Sequence, residues 1–144
     1  MRRPERESGQ AMAFMAVIVA ALVLPLMSLA IDASHAMVVR SRLQTAADAA
    51  CQAGVQAVAA QAYQAGGSQS LDFSRAASYA LQAFSADTEE SALRGYQPAI
   101  TGFSVVNGNA LRCEATAQVQ TVVGITPPMV VRVEAISRAR ANSG

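Results

Sequence analysis

The sequence contains no lysine and no tryptophan, and it has a single histidine and two cysteines among its 144 residues. Charged residues make up 15% of the chain and the net charge is +1, so the protein has no electrostatic field that would gather nucleic acid. The sequence also lacks a C-x-x-C motif, a phosphate-binding glycine loop and a pair of carboxylates at a suggestive spacing. We therefore expect no enzyme activity, no metal site, no cofactor and no small-molecule substrate.

The clearest feature that is present is an uncharged run from Ala11 to Ile31, interrupted only by Pro25 and Ser28. At about 1.5 Å per residue this run spans roughly 30 Å, the thickness of the hydrocarbon core of a bilayer. A soluble helix of this length would show a polar face, and this one has none. The run predicts a transmembrane helix in contact with membrane lipid, with a mild kink at Pro25.

The arginines that flank the run predict its orientation. Arg2, Arg3 and Arg6 precede it, whereas Arg40 and Arg42 follow at a greater distance. This bias favours a cytoplasmic N-terminus, a single pass through the inner or cytoplasmic membrane, and a C-terminal domain in the periplasm or outside the cell. The alternative is a signal peptide cleaved after Ala36, although its apolar region would exceed the usual length of about 7 to 15 residues.

Helical periodicity continues beyond Ile31, but the pattern becomes amphipathic. Asp32 and His35 mark the membrane border, where we expect the headgroup region to hydrate the Asp32 carboxylate. Two rows of small residues along this helix favour the close approach of another backbone, which is either the chain's own sheet or a neighbouring subunit. The predicted helix packing face consists of Leu43, Ala46, Ala47, Ala50, Ala53, Gly54 and Ala57.

The C-terminal half predicts a short helix and about three antiparallel strands. We expect residues 66–68 to act as a hinge and Asp72 to cap a helix whose apolar face contains Phe73, Ala76, Ala77, Ala80 and Phe84. Period-two alternation at 111–120 and 131–136 indicates half-buried strands, and Asn107 with Gly108 predicts a tight hairpin to a strand at 100–106. The predicted fold class is α+β, with the long N-terminal helix packed on the sheet.

Three sequence blocks resemble a known family. They are Gly9-Gln10-Ala11, then Leu29-Ala30-Ile31-Asp32 after the apolar span, and then Arg42-Leu43-Gln44-Thr45-Ala46-Ala47-Asp48-Ala49-Ala50. In this order they resemble the N-terminal region of TadG- and TadE-like proteins of the tight-adherence (Flp) pilus system, over about residues 9 to 60.

The resemblance implies a type IV pilin-like architecture, a setting in a pilus or secretion apparatus, and other subunits of that apparatus as partners. It also implies that a prepilin peptidase cuts between Gly9 and Gln10. Such pilins carry a glutamate soon after the cut, whereas residues 10–31 contain no acidic residue, so the match lies closer to the TadG-like kind. The expected division is a leader at 1–9, a transmembrane helix at 10–31, its amphipathic continuation at 32–65 and a small extracytoplasmic domain at 66–144.

The two cysteines, Cys51 and Cys113, fall on the long helix and on the inward side of the central strand. In an exported domain they can form a disulfide that closes a loop of about 60 residues. The alternative is two buried thiols that pack as small hydrophobic groups.

Two functional interpretations remain open. In the first, the protein is a minor pilin or pseudopilin that is anchored by one span and takes part in pilus assembly. In the second, it is a membrane-tethered envelope protein, a binding or adhesin-like module that never joins a filament. The rows of small residues favour the first.

Overall fold

The computed structural model describes residues 5–64, 72–90, 93–121 and 127–139. These residues form two α-helices and one antiparallel sheet, α1 (Glu5–Gln64), α2 (Phe73–Glu90), β1 (Ala99–Val106), β2 (Ala110–Val119) and β3 (Met129–Arg138), with a 3-10 turn at Arg94–Tyr96. The predicted α+β class is confirmed. The expected hinge at 66–68 lies outside the described residues.

Helix α1 runs through Pro25 without ending, since its 60 residues include that proline. Helix α2 begins as predicted, because Asp72 Oδ1 accepts hydrogen bonds from the amide groups of Ser74 at 3.1 Å and Arg75 at 3.3 Å. Its buried face contains Ala76, Ala80 and Phe84. Phe73 differs from the prediction and is 44% exposed, because it is the first residue of α2 and lies one turn before the first buried one.

The sheet has the order β1-β2-β3. The predicted hairpin is present, and Asn107 and Gly108 have φ angles of 53° and 71°. Asparagine and glycine tolerate this left-handed backbone better than other residues do, which explains why the chain reverses there. On β2 the predicted alternation is also confirmed, since every second side chain is buried, namely Leu111, Cys113, Ala115, Ala117 and Val119.

The hydrophobic core lies between the sheet and the two helices. It takes residues 39–58 of α1, the inner face of α2 and the inner face of β2 and β3. Most of these side chains are Ala, Val or Cys, so the layers pack closely. One continuous helix therefore contributes both to this core and to the exposed apolar run that precedes it.

Candidate functional site

The first part of the candidate site is the N-terminal half of α1, which no other described part of the protein covers. Large apolar side chains between Met12 and Ile31 are exposed around the whole helix, and none of the most apolar 18-residue window is buried. Its mean hydropathy is 2.7, and within the described residues this is the one helix long and apolar enough to cross a membrane. Apolar surface of this extent is unfavourable in water and favourable in lipid.

The predicted processing site, Gly9 and Gln10, lies at the start of this uncovered helix. Both residues are exposed. A Cβ atom built on Gly9 would meet no heavy atom within 4 Å, so no described residue shields this position. The bond between Gly9 and Gln10 lies within helix α1, and cleavage there stays a prediction.

The predicted membrane border coincides with the first contact between α1 and the rest of the fold. His35 Nε2 and the Tyr96 hydroxyl lie 2.6 Å apart, and their rings meet edge to face with centroids 5.5 Å apart. Asp32, one helical turn earlier, is only 6% exposed. Protein therefore surrounds its carboxylate, in contrast to the expectation that lipid headgroups hydrate it.

The predicted packing face of α1 is turned toward the core. Leu43, Ala46, Ala47, Ala50 and Gly54 are buried, and Ala53 and Ala57 are half-buried. One of the two rows of small residues is formed by Ala46, Ala50 and Gly54. Its last member contacts α2, because a Cβ atom on Gly54 would lie 2.5 Å from the Ala76 carbonyl oxygen and 3.1 Å from Ala80 Cβ. The sequence left open whether the chain's own sheet or a neighbouring subunit packs against these small residues. In the structure the chain's own domain packs there, and the backbone next to Gly54 belongs to α2 and not to the sheet.

The two cysteines are adjacent in the structure. Cys51 of α1 and Cys113 of β2 are paired as a disulfide, with their Cα atoms 6.0 Å apart. Both side chains are fully buried, so the pair links the long helix to the central strand through the middle of the core.

The outer face of the sheet carries charged side chains at its centre. Arg112 Nε lies 3.0 Å from Glu134 Oε1, and Glu114 is directly opposite Glu134 across the β2–β3 pair. Arg40 and Arg132 border a shallow groove together with these two glutamates. The mixed signs give this face no strong field for a polyanion.

In the described ranges, no three His, Cys, Asp or Glu residues converge in an arrangement that could hold a metal ion. Sequence reasoning missed the partner of His35, because Tyr96 lies 61 residues away along the chain. It also missed Gln44, whose Nε2 donates to the Glu134 carbonyl oxygen at 2.9 Å and fixes α1 to β3. The available signal for Tyr96 was its residue type, because tyrosine has an apolar ring and a polar hydroxyl and so suits a boundary between apolar and polar surroundings.

Comparison with known families identifies the N-terminal region. Residues 9–67 match the Tad family, described as "Putative Flp pilus-assembly TadE/G-like". Residues 9–67 are therefore similar to TadE/G-like proteins. The resemblance inferred from the three sequence blocks is thereby confirmed. No curated protein and no solved structure matches the chain.

The TadE/G-like region includes the uncovered apolar run, the membrane border and the packing face of α1. Helix α2 and all three strands lie beyond it. The family match therefore concerns the helix that carries the candidate site, and it associates that helix with Flp pilus assembly.

Proposed function

We propose that the protein is a pilus-assembly component, a minor pilin-like or pseudopilin-like subunit, held in the inner membrane by a single span. The observation that carries the proposal is the uncharged and uncovered surface of α1 within the TadE/G-like region. In this arrangement residues 1–9 form a cytoplasmic leader, 10–31 the span and 32–65 its continuation. The small domain then lies in the periplasm or outside the cell, and the protein acts without catalysis.

The absence of an acidic residue between Gln10 and Ile31 supports a minor role over that of the main filament subunit. A carboxylate within the span would be costly in lipid unless a neighbouring subunit supplied a cationic partner. Without such a carboxylate, the span has no charged group that would fix its register against the next subunit. The proposed partners are membrane lipid, other subunits of the apparatus and a prepilin peptidase that acts at Gly9.

A direct test of the assembly role compares the full chain in cells that contain the Flp pilus machinery and in cells from which that machinery is deleted. The proposal predicts that the protein fractionates with the assembled apparatus in the first cells and loses this association in the second. Unchanged export and unchanged location after the deletion would instead support a membrane-tethered envelope or adhesin-like module.

A second test addresses the anchor through the variant Leu22→Arg, which places a charge near the centre of the span. We expect this variant to leave the membrane fraction on alkaline extraction, because a charge at mid-bilayer is strongly unfavourable. The matched control, Asn109→Arg, adds the same charge to the exposed turn between β1 and β2 and should remain in the membrane. Equal retention of both variants would argue against the span.

The mass of the mature N-terminus tests processing. Loss of residues 1–9 supports cleavage by a prepilin peptidase, whereas loss of residues 1–36 would indicate a cleaved signal peptide. An intact start would indicate a permanent anchor without processing.

A further inference from the structure

The height of the small domain above the proposed membrane can be derived from contacts between α1 and β3. Gln44 Nε2 donates to the Glu134 carbonyl oxygen at 2.9 Å, and Cys51 Sγ lies 3.7 Å from the Ala135 carbonyl oxygen, so each of these pairs lies at a similar height. Farther from the span, residues 136–139 border the same surface depression as Gln52 and Ala59. Strand β3 and helix α1 therefore run in the same direction, away from the apolar run.

This direction places the start of β3 next to the membrane border. Met129 precedes Glu134 by five residues, which is about 17 Å of strand at roughly 3.3 Å per residue. The same descent along α1, at about 1.5 Å per residue, ends about eleven residues before Gln44, close to Ala33. Counted from Ala135 and Cys51, the descent is about 20 Å or about thirteen helical residues and ends close to Val38. Pro127 and Pro128 come directly before Met129 in the chain. The contact between Tyr96 and His35 independently places the 3-10 turn at this height.

The headgroup layer covers the same heights. A hydrocarbon core of about 30 Å within a bilayer of about 40–45 Å leaves roughly 5 to 8 Å for each headgroup region. Along a helix that enters this region at Ile31, such a layer extends about three to five residues, to about Ala36. Tyr96, which contacts His35, therefore falls within the layer, and the start of β3, at a height between Ala33 and Val38, falls within the layer or within about 3 Å of its outer edge.

The side chains at this end of the domain suit that layer. Val130 is 58% exposed and Met37 is 71% exposed, and Met129, Val38 and both prolines are also exposed. Segments 33–39, 95–101 and 127–131 contain no Asp or Glu, and the first charged residues after them on α1 and β3 are Arg40 and Arg132. Tyrosine and apolar residues followed by arginine are typical of proteins at the boundary between lipid tails and headgroups.

We propose that this end of the domain, formed by Tyr96, Pro127, Pro128, Met129 and Val130, rests in the headgroup layer of the bilayer that holds the span. The domain then sits on the membrane and is not raised on a free stalk of helix. The proposal rests on the membrane anchor proposed above. The surface that this end of the domain contacts is lipid, because the continuous helix that carries the proposed span also sets the height of these residues above the bilayer.

Site-directed fluorescence on the full chain in nanodiscs tests the proposal. Because Cys51 and Cys113 are paired, a cysteine introduced as Val130→Cys can be labelled alone with a polarity-sensitive dye, and the unsubstituted chain serves as the labelling blank. Matched reporters are Asn109→Cys at the opposite end of the sheet and Leu22→Cys within the span. Pro128→Cys provides a second reporter at the membrane end if the first variant fails to fold.

If the proposal is correct, lipids that carry a nitroxide on the headgroup quench the dye at position 130, and the emission of that dye shifts to the blue. The dye at position 109 should show neither change. An unquenched dye at 130 together with a bilayer-embedded dye at 22 would overturn the proposal and leave the anchor intact. A hydrated dye at 22 would overturn both. A blue-shifted but unquenched dye at 130, accompanied by disulfide cross-linking between two copies, would show that a second copy covers this end and would also overturn the proposal.

Discussion

Gly54 of α1 packs against the backbone of Ala76 so closely that no larger residue fits between the two helices. A Cβ atom at position 54 would lie 2.5 Å from the Ala76 carbonyl oxygen, a separation that real Cβ atoms do not show. Because the obstacle is backbone, a side-chain rotation cannot relieve it. The spacing of the two helices is therefore set by the absence of a side chain at this one position.

We expect Gly54→Ala to destabilise the domain by about 1–3 kcal/mol, the usual cost of overpacking a dense core. Thermal unfolding of the full chain in detergent micelles, followed by circular dichroism, measures the effect. Gly95→Ala is the matched control, since a Cβ atom at position 95 meets nothing within 4 Å and should leave the midpoint nearly unchanged. Equal midpoints for the two variants would contradict the close packing of α1 on α2.

The pairing of Cys51 with Cys113 predicts that the domain loses stability on reduction. The bridge spans 62 positions of the sequence. By loop-closure entropy a bridge of this span contributes about 4 kcal/mol. Alkylation of the unfolded chain should add mass at both cysteines only after reduction, and dithiothreitol should lower the unfolding midpoint.

The control for this experiment is the double variant Cys51→Ala with Cys113→Ala, whose midpoint should not respond to reductant. Two thiols that react without reductant in protein purified from the membrane fraction would show that the pair is free in the cell.

Asp72 makes the start of α2 sensitive to acid. The Ser74 hydroxyl donates to Asp72 Oδ1 at 2.7 Å, and this bond, followed by the bond from the Arg75 amide, holds the pKa of Asp72 below its ordinary value. A carboxylate whose pKa is lower in the folded state stabilises the fold above its unfolded pKa. That stabilisation disappears as the pH falls through the folded pKa.

Below pH about 4 the protein should therefore lose this contribution from the helix cap. Asp72→Asn keeps the capping oxygen but cannot titrate. Its free energy of unfolding should therefore change less between about pH 5 and about pH 3 than that of the unsubstituted chain. Unfolding experiments at these two pH values provide the measurement. An identical change in both proteins would contradict the assigned cap.

Arg112 offsets a repulsion on the outer face of the sheet. Glu114 and Glu134 are directly opposite across β2 and β3, an arrangement that is unfavourable for like charges, and Arg112 is ion-paired with Glu134. We expect Arg112→Gln to lower the free energy of unfolding by less than about 1 kcal/mol, because both partners are partly exposed.

Added salt should reduce that loss, since it screens the repulsion between the two glutamates. Urea titration at low and high salt provides the measurement, with Arg138→Gln as the control, because Arg138 is opposite Ala110 and lies four residues from Glu134 along β3. A loss that does not depend on salt would mean that Arg112 acts through packing alone.

Local sequence patterns predicted the elements of this fold well. The hairpin at Asn107 and Gly108 followed from backbone angles that few other residues adopt, and the alternation on β2 followed from its one buried face. The cap at Asp72 followed from the hydrogen-bonding capacity of a short carboxylate. Each of these features depends on residues that are near one another in the chain.

Contacts between distant segments could not be predicted in the same way. The small residues up to Gly54 predicted that another backbone packs closely against α1. They did not predict that this backbone is α2, because helical spacing defines a face and not its partner. The contact of His35 with Tyr96 depends on where the 3-10 turn returns to α1. The family match extends only to residue 67, so it gives no information about the sheet, whose arrangement has to be explained from physical principles.

The continuity of α1 has a mechanical consequence. Its 60 residues run without interruption from Glu5 into the core, and Cys51 joins that helix covalently to the central strand. In the oxidised protein, a force that pulls on the apolar N-terminal half of α1 is carried along one helix and passes into the sheet at Cys113. If that half is the proposed span, its extraction from a bilayer would move the whole domain as one body.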